Sequence, residues 1–338
     1  MKDVSLHLAV LTLTLAIGCS DEPGERRHVV VFTAMDRVYS EPILREFQRR
    51  TGIAVRPVYD AEAAKTTGLV NRLIARRDDP ECDVLWSNEP VQTHALAEMG
   101  LFQPYRSPSA SRIPESFRDA QDRWTGFAAR MRVILYHRQL LAGADPPTRL
   151  GDFLDPRWRG RAAIASPFYG ATFAQMSLLY GSWGEAELSL WLAGLRANGI
   201  VIAPGNGPVR DLVAAGECAF GLTDTDDAHG AILDGKPVGV VAIDGPTALL
   251  PNTVALIAHC KRPAEGRALI DYLLSAEVER ALAAGRSAQI PLGQDLRDLP
   301  TPWDELLRQS PPAATDIAAA AAARHKVITL LRQMEMDR

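Results

Sequence analysis

The amino-acid sequence predicts an α/β fold arranged as two lobes, and three observations predict it. From residue 28 onward, short apolar runs alternate with helical patterns, the signature of βαβ units on a mostly parallel sheet. The alternation comes in two series, separated by an extended stretch over residues 125–136. The stretch Gly221-Leu222-Thr223-Asp224-Thr225-Asp226-Asp227-Ala228-His229 then sets three carboxylates and two hydroxyls between an apolar strand and a short helix, at the sheet edge where open α/β folds take ligands.

In the first series, residues 28–32 form an apolar strand whose exit loop is Thr33-Ala34-Met35-Asp36. Residues 40–50 form a helix with Ile43, Leu44 and Phe47 on one face, stopped by Gly52. Residues 53–59 alternate as a strand, and residues 61–76 place Leu69, Val70, Leu73 and Ile74 on one helical face. A third strand over 83–86 exits through Ser87-Asn88-Glu89-Pro90 into a helix ending at Met99. Three strand exits therefore converge: Asp36, the 60–67 segment with Lys65 and Thr66, and Asn88 with Glu89.

The second series opens with the 125–136 stretch, which carries Arg130 and Arg132. After a strand over 161–165, Ser166-Pro167-Phe168-Tyr169-Gly170-Ala171-Thr172 opens a helix, whose backbone N–H groups suit an anion. A helix follows at 183–197, then a strand at 200–203 and a helix opened by Pro204-Gly205-Asn206-Gly207-Pro208. The central stretch follows a strand at 218–220 and precedes a short helix at 231–235. Strands at 238–243 and 254–258, helices at 265–274 and 276–284, and an Ala-rich closing helix from 317 with Val327, Leu330 and Leu331 complete the chain.

With 338 residues there is room for one large or two medium domains. A net charge of −4 and the lack of any basic stripe exclude a general nucleic-acid binder. The apolar run 8–17, ahead of Gly18-Cys19, is too short to span a bilayer and reads as a secretory segment. A small residue directly before Cys19 resembles the bacterial lipoprotein signal: residues 1–19 are expected to be the signal peptide, Cys19 to be acylated, and 20–27 to be a polar tether. Cys82, Cys218 and Cys260 match no zinc or redox spacing and read as small buried residues. No Gly-rich phosphate loop, nucleophile elbow or zinc-binding His-Glu helix is present, so the sequence does not read as an enzyme.

Asp226 and Asp227 are adjacent, so each raises the cost of ionising the other, and a bound cation would relieve that cost. Hard oxygen ligands suit Ca²⁺, Mg²⁺, Mn²⁺ or Fe³⁺. The competing reading makes Thr225 or Asp226 a helix cap and Glu89 a carboxylate at its own helix start. Lys65, Thr66, Arg130 and Arg210 could instead contact a phosphate or carboxylate.

The chain resembles the ferric-ion-binding branch of the ABC-transporter solute-binding proteins over nearly all its mature length. The resemblance is carried by Asp83-Val84-Leu85-Trp86-Ser87-Asn88-Glu89, Leu154-Asp155-Pro156-Arg157-Trp158-Arg159-Gly160-Arg161, Asn206-Gly207-Pro208-Val209-Arg210-Asp211-Leu212-Val213, Ile270-Asp271-Tyr272-Leu273-Leu274-Ser275 and Ser287-Ala288-Gln289-Ile290-Pro291-Leu292. It implies a two-lobed type II periplasmic-binding-protein fold with a hinge and an interlobe cleft. The lobes would comprise residues 28–128 plus 252–306 and 129–251 plus 307–338, with hinge crossings near 125–130 and 249–253.

In the iron binders a His, a Glu and two adjacent Tyr grip the metal. Matched to this chain, the His position falls on Asp36, the Glu on Glu89, and the tyrosine pair on Asp226-Asp227. The helix start that holds a synergistic anion matches Tyr169-Gly170-Ala171, supported by Asn206 and Asp224, with Thr33, Asn88 and Thr225 as further ligand contacts. The resemblance implies a periplasmic, lipid-anchored, monomeric binding protein that delivers Fe³⁺ or another hard cation to an ABC permease and its ATPase, without a catalytic cofactor. Because the family also binds phosphonates and sugar phosphates, a small phosphorylated or zwitterionic solute is the alternative cargo.

Overall fold

The computed structural model describes residues 27–60, 67–245, 247–312 and 315–337. The expectations for residues 1–26, including acylation of Cys19, and for Lys65 and Thr66 lie outside these residues.

Strand and helix alternate from the first described residues. β1 (His28–Thr33) leads to α1 (Arg37–Thr51), β2 (Ala54–Tyr59), α2 (Thr67–Ala75), β3 (Val84–Ser87) and α3 (Pro90–Glu98). β1 pairs in parallel with both β2 and β3, as βαβ units require. α1 stops where Gly52 takes φ 69°, a left-handed value that glycine adopts without a Cβ penalty, and the Gly52 N–H donates to Gln48 O. β4 (Phe102–Gln103) and the long β5 (Thr125–His137) follow.

β6 (Ala162–Ala165), α4 (Gly170–Ala197), β7 (Val201–Ala203), α5 (Asn206–Ala214), β8 (Phe220–Asp224), α6 (Thr225–Leu233) and β9 (Val238–Ala242) form the second series. β10 (Leu249–Ile257), α7 (Pro263–Leu273), α8 (Ala276–Ala284), α9 (Asp304–Gln309) and α10 (Ile317–Gln333) close the chain. The strand order is β2-β1-β3-β10-β5-β8-β6-β7, with β4 on β10 and β9 on β5.

β5 is what joins the two halves. Its residues 125–131 pair antiparallel with β10, and its residues 132–136 pair with β8. Where it passes from one to the other, buried Ala128 holds φ 40° and its N–H donates to the buried Glu279 Oε1 at 2.8 Å. Opposite, the β10 register shifts between Pro251 and Asn252, and Asn252 Nδ2 donates to Ala128 O and to Gln289 Oε1. The crossing is thus fixed by side-chain bonds rather than by a continuous ladder.

Apolar packing follows the same division. One core gathers Val31, Phe32, Phe47, Trp86, Leu256 and Leu269 around the first sheet. The second sheet has a core on each face, one around Phe153, Phe220 and Leu192, the other around Met131, Val209 and Val213. α10 packs against α4 and also against α3, so the C-terminal helix touches elements of both series. Cys82, Cys218 and Cys260 are buried free thiols.

Three elements differ from the sequence expectation. The strand expected at 218–220 is β8, which runs on through Asp224, and the helix expected at 231 starts at Thr225. Thr223 and Asp224 look like loop residues, yet both are buried because Asn206 and Arg132 satisfy them. Residues 249–253 belong to β10, since Pro251 falls at the register shift where a missing N–H breaks no regular ladder bond. The two helices expected after 166 and at 183 merge into α4 across a break at Gly184, which has φ 79° and ψ 172°.

Candidate functional site

The strand exits face each other across a cleft of about 570 Å³. Met35, Asp36 and Asn88 line it from the first half, and Arg130 from the crossing strand. Tyr169, Gly170, Ala171, Thr172, Asn206, Arg210, Asp224, Asp226 and Asp227 line it from the second half.

The central acidic cluster is held by neighbouring elements. Asp224, the last residue of β8, is 1% exposed. Arg132 Nη1 donates to its Oδ1 at 2.6 Å, and Asn206 Nδ2 donates to its Oδ2 at 2.9 Å. Fully buried Arg132 also donates to Gln175 Oε1 and Thr172 Oγ1 from α4 and to Asn206 Oδ1 from α5. One guanidinium therefore ties three elements together behind the carboxylate, a geometry that only its planar fork of donors allows.

Asp226 and Asp227 lie in the first turn of α6. One oxygen from each of Asp224, Asp226 and Asp227 can lie within 4.8 Å of the others, the spacing of a hard-cation site. Burial pushes the Asp226 acid up to about 6, against the attraction of Arg130, with Asp224 and Asp36 adding repulsion. Burial also holds Asp227 well above the usual carboxylate range, reinforced by Asp226 and Asp224 and opposed by Arg210. Arg210 Nη1 approaches Asp227 Oδ1 at 3.4 Å.

Arg130 is 4% exposed. Its Nη2 donates to Asn88 O at 2.6 Å, its Nη1 stands 3.9 Å from Asp226 Oδ2, and its Nε has no partner. Burial works against its charge, but Asp224, Asp226, Asp227 and Asp36 outweigh that and hold its pKa above the ordinary value.

Three helices begin at the cleft. The N-caps of α4 (Tyr169), α5 (Gly205) and α6 (Asp224) make no side-chain capping bond. Their first-turn N–H groups and positive dipole ends face the same space as the carboxylates. Gly170 opens α4 at φ 58°, with open space where a Cβ would stand, so backbone conformation rather than crowding favours glycine there. The site thus offers both signs of charge at close quarters, suited to a cation with its counter-anion or to a zwitterion.

The structure brings Asp36, Asn88, Tyr169, Gly170, Ala171, Asn206, Asp224, Asp226 and Asp227 to one cleft. It places three other expected ligands elsewhere. Glu89 is 1% exposed and caps α3, accepting from Val91 N and Gln92 N. Burial pushes its acid up to about 8, against those two bonds. Thr33 is fully buried and accepts from Met35 N, and Thr225 is fully buried and accepts from Met131 N. None of these three lines the cleft; their oxygens are used by the backbone that shapes it. His229, beyond the pair, bonds Arg286 O and stacks edge-on near Trp303.

Sequence reasoning missed Arg132 as the anchor of Asp224 and Tyr39 as a cleft neighbour. The signal for Arg132 was available: two arginines two residues apart in an apolar strand share a face and need partners. Tyr39 sits in the first turn of α1, and its phenol is held above its usual range first by burial and then by Asp226, Asp227 and Asp36.

Residues 80–309 match the family model described as bacterial extracellular solute-binding protein. The Fe(3+)-binding periplasmic protein of Serratia marcescens is 30% identical over 219 residues, 64% of this chain and 62% of that protein. Iron uptake protein A1 of Synechocystis is 26% identical over 61% of this chain and 56% of that protein, so the match spans little more than half of that relative. Among solved structures, iron-bound HitA from Pseudomonas aeruginosa superimposes with a TM-score of 0.81 at 22% identity, covering 91% of this chain and 99% of that one. The periplasmic binding protein AfuA from Actinobacillus pleuropneumoniae, with fructose-6-phosphate bound, gives a TM-score of 0.79 at 17% identity over 92% and 99%. The fold is thus the two-lobed type II fold of periplasmic binding proteins, and the matched family is one of substrate-binding transport proteins, not enzymes. The chain belongs to the bacterial extracellular solute-binding protein family.

Proposed function

We propose that the chain is the periplasmic cargo-binding component of an ABC importer, and that its cleft takes a hard metal cation together with a small anion. The observation that carries this is the carboxylate group of Asp224, Asp226 and Asp227, whose oxygens come within 4.8 Å of one another opposite Asp36. Asp226-Asp227 stand where the iron binders have their tyrosine pair, so ferric iron held here has no phenolate ligand from that pair. The uncapped starts of α4 and α5 and the unpartnered Nε of Arg130 supply the place for the anion. Lobes of residues 28–128 plus 252–306 and 129–251 plus 307–338 close about the crossing at Ala128 and Asn252. The protein acts as a monomer tethered through acylated Cys19.

A phosphorylated or zwitterionic solute, such as an aminophosphonate, is the second reading. It is favoured by the arginines: Arg130, Arg132 and Arg210 offset all but one of the four carboxylates. Elemental analysis of protein purified without chelator, beside native mass spectrometry, separates the two. A stoichiometric hard metal supports the first reading; a retained organic phosphate without metal refutes it. Small-angle scattering with saturating cargo tests closure, and an unchanged radius refutes it.

A further inference from the structure

The three carboxylates of the central cluster are not equally committed to the protein. Asp224 accepts on both oxygens, at 2.6 Å from Arg132 and 2.9 Å from Asn206. Asp226 Oδ1 accepts from Asp227 N at 3.0 Å, and its Oδ2 stands 3.9 Å from Arg130 Nη1. Asp227 has only long contacts: Arg210 Nη1 at 3.4 Å from Oδ1 and Thr223 Oγ1 at 3.5 Å from Oδ2. A charge-assisted bond between such groups normally closes to about 2.7–2.9 Å. Asp227 therefore keeps most of its binding capacity for a visitor.

What holds the guanidinium back from Asp227 is its chain neighbour. Arg210 Nε donates to Asp211 Oδ1 at 2.9 Å, and Arg210 Nη2 reaches the same oxygen at 2.8 Å. Both residues belong to α5, and both line the cleft. The Asp211 side chain is 66% exposed and that of Asp227 is 18% exposed, so Asp211 stands at the rim and Asp227 inside. Space is open between guanidinium and inner carboxylate. A Cβ at Gly207 would stand 3.5 Å from Asp227 Oδ1 and 3.7 Å from Arg210 Nη2, both ordinary contact distances. Arg210 thus has two carboxylates to choose from, and in this structure it favours the outer one.

We propose that Asp211 is a positioning residue for the cargo: by holding Arg210 at the rim it keeps Asp227 open to a cation, and the Arg210–Asp211 pair thereby sets whether the cleft prefers a cation or an anion. A guanidinium seated on Asp227 neutralises that carboxylate and repels a cation from it. Turned inward, it also adds donors for a phosphate or carboxylate. The pair is partly exposed and screened by water, so its effect on affinity is modest rather than absolute. The inference rests on the cation reading of the cleft.

The test is calorimetric titration of the full chain and its variants with Mn²⁺, ferric citrate and aminoethylphosphonate, at about 0.15 M salt, where distant exposed charges are largely screened. For whichever metal the wild type binds, Asp211→Asn lowers the affinity about fivefold, because the released Arg210 moves onto Asp227. Arg210→Gln removes the competing cation and raises the affinity about tenfold. In the Arg210→Gln background, adding Asp211→Asn changes the affinity by less than about twofold, since the route through the guanidinium is gone. An equal loss from Asp211→Asn in both backgrounds makes Asp211 an ordinary surface charge and overturns the proposal. A loss of metal affinity in Arg210→Gln also overturns it, by placing that guanidinium on the cargo's anion. A wild type that binds aminoethylphosphonate and neither metal overturns the cation reading, and the proposal with it.

Discussion

Asp227→Asn is the sharpest perturbation of the cleft, because it preserves shape and deletes one charge. In the folded protein Asp227 is flanked by Asp226 and Asp224, and its cationic neighbour Arg210 stands 3.4 Å away. Removing one partner of a desolvated charge pair costs about 2–5 kcal/mol, so a cation's affinity should fall about 30- to several-thousand-fold. The same change relieves repulsion in the unliganded protein, so its thermal midpoint should rise while affinity falls. Those opposite signs distinguish a binding role from simple damage. A second readout is proton release. Asp226 is pushed up to about 6 and Asp227 well above the carboxylate range, so a cation entering near neutral pH must displace protons. Cation affinity should therefore climb as pH rises from 5 to 7.5, and climb less steeply in the variant. The assay is calorimetric titration of both proteins with ferric citrate, Mn²⁺, Ca²⁺ and aminoethylphosphonate, in buffers of different ionisation enthalpy. Equal affinity of the two proteins for whichever ligand binds would remove the pair from the site and refute the reasoning.

Arg132→Leu leaves Asp224 buried without its counter-charge, so it should destabilise the protein by about 3–5 kcal/mol, and Arg132→Lys should recover little because lysine cannot reach Asp224, Asn206, Gln175 and Thr172 together; urea denaturation checks both. Glu89→Gln should leave cation affinity within about twofold, since Glu89 caps α3 and does not line the cleft. The Glu89 acid is raised in the folded state to about 8, so its contribution to stability is complete below its unfolded value of about 4.3 and is lost as pH rises through 8. Thermal melts from pH 5 to 9 should accordingly move in favour of Glu89→Gln as pH rises, and parallel curves would contradict this. Cys19→Ala should release the protein from the membrane fraction into the periplasmic extract, which immunoblotting of fractionated cells would show.

Much of this protein was written in its sequence. Apolar runs such as Val29-Val30-Val31-Phe32 and Val84-Leu85-Trp86, alternating with amphipathic helices, determined the βαβ units. The reason is local: side-chain period and capping residues act within a few positions of the chain. The strand exits that line the cleft, and the cluster Asp224, Asp226 and Asp227, were legible for the same reason. What only the tertiary structure decided was which polar residues line the cleft and which are spent on the scaffold. Glu89 looked like a ligand in the chain, but its carboxylate turns back on the N–H groups of α3. Thr223 and Asp224 looked like loop, but Arg132, about ninety positions earlier, carries them into a strand. Arg130 looked like a candidate anion contact, and instead it and Arg132 stand against Asp226 and Asp224, two of the four carboxylates that seemed to demand a cation. Hydrogen bonding and charge compensation act between residues distant in the chain, so their outcome depends on topology, which no short window of sequence contains.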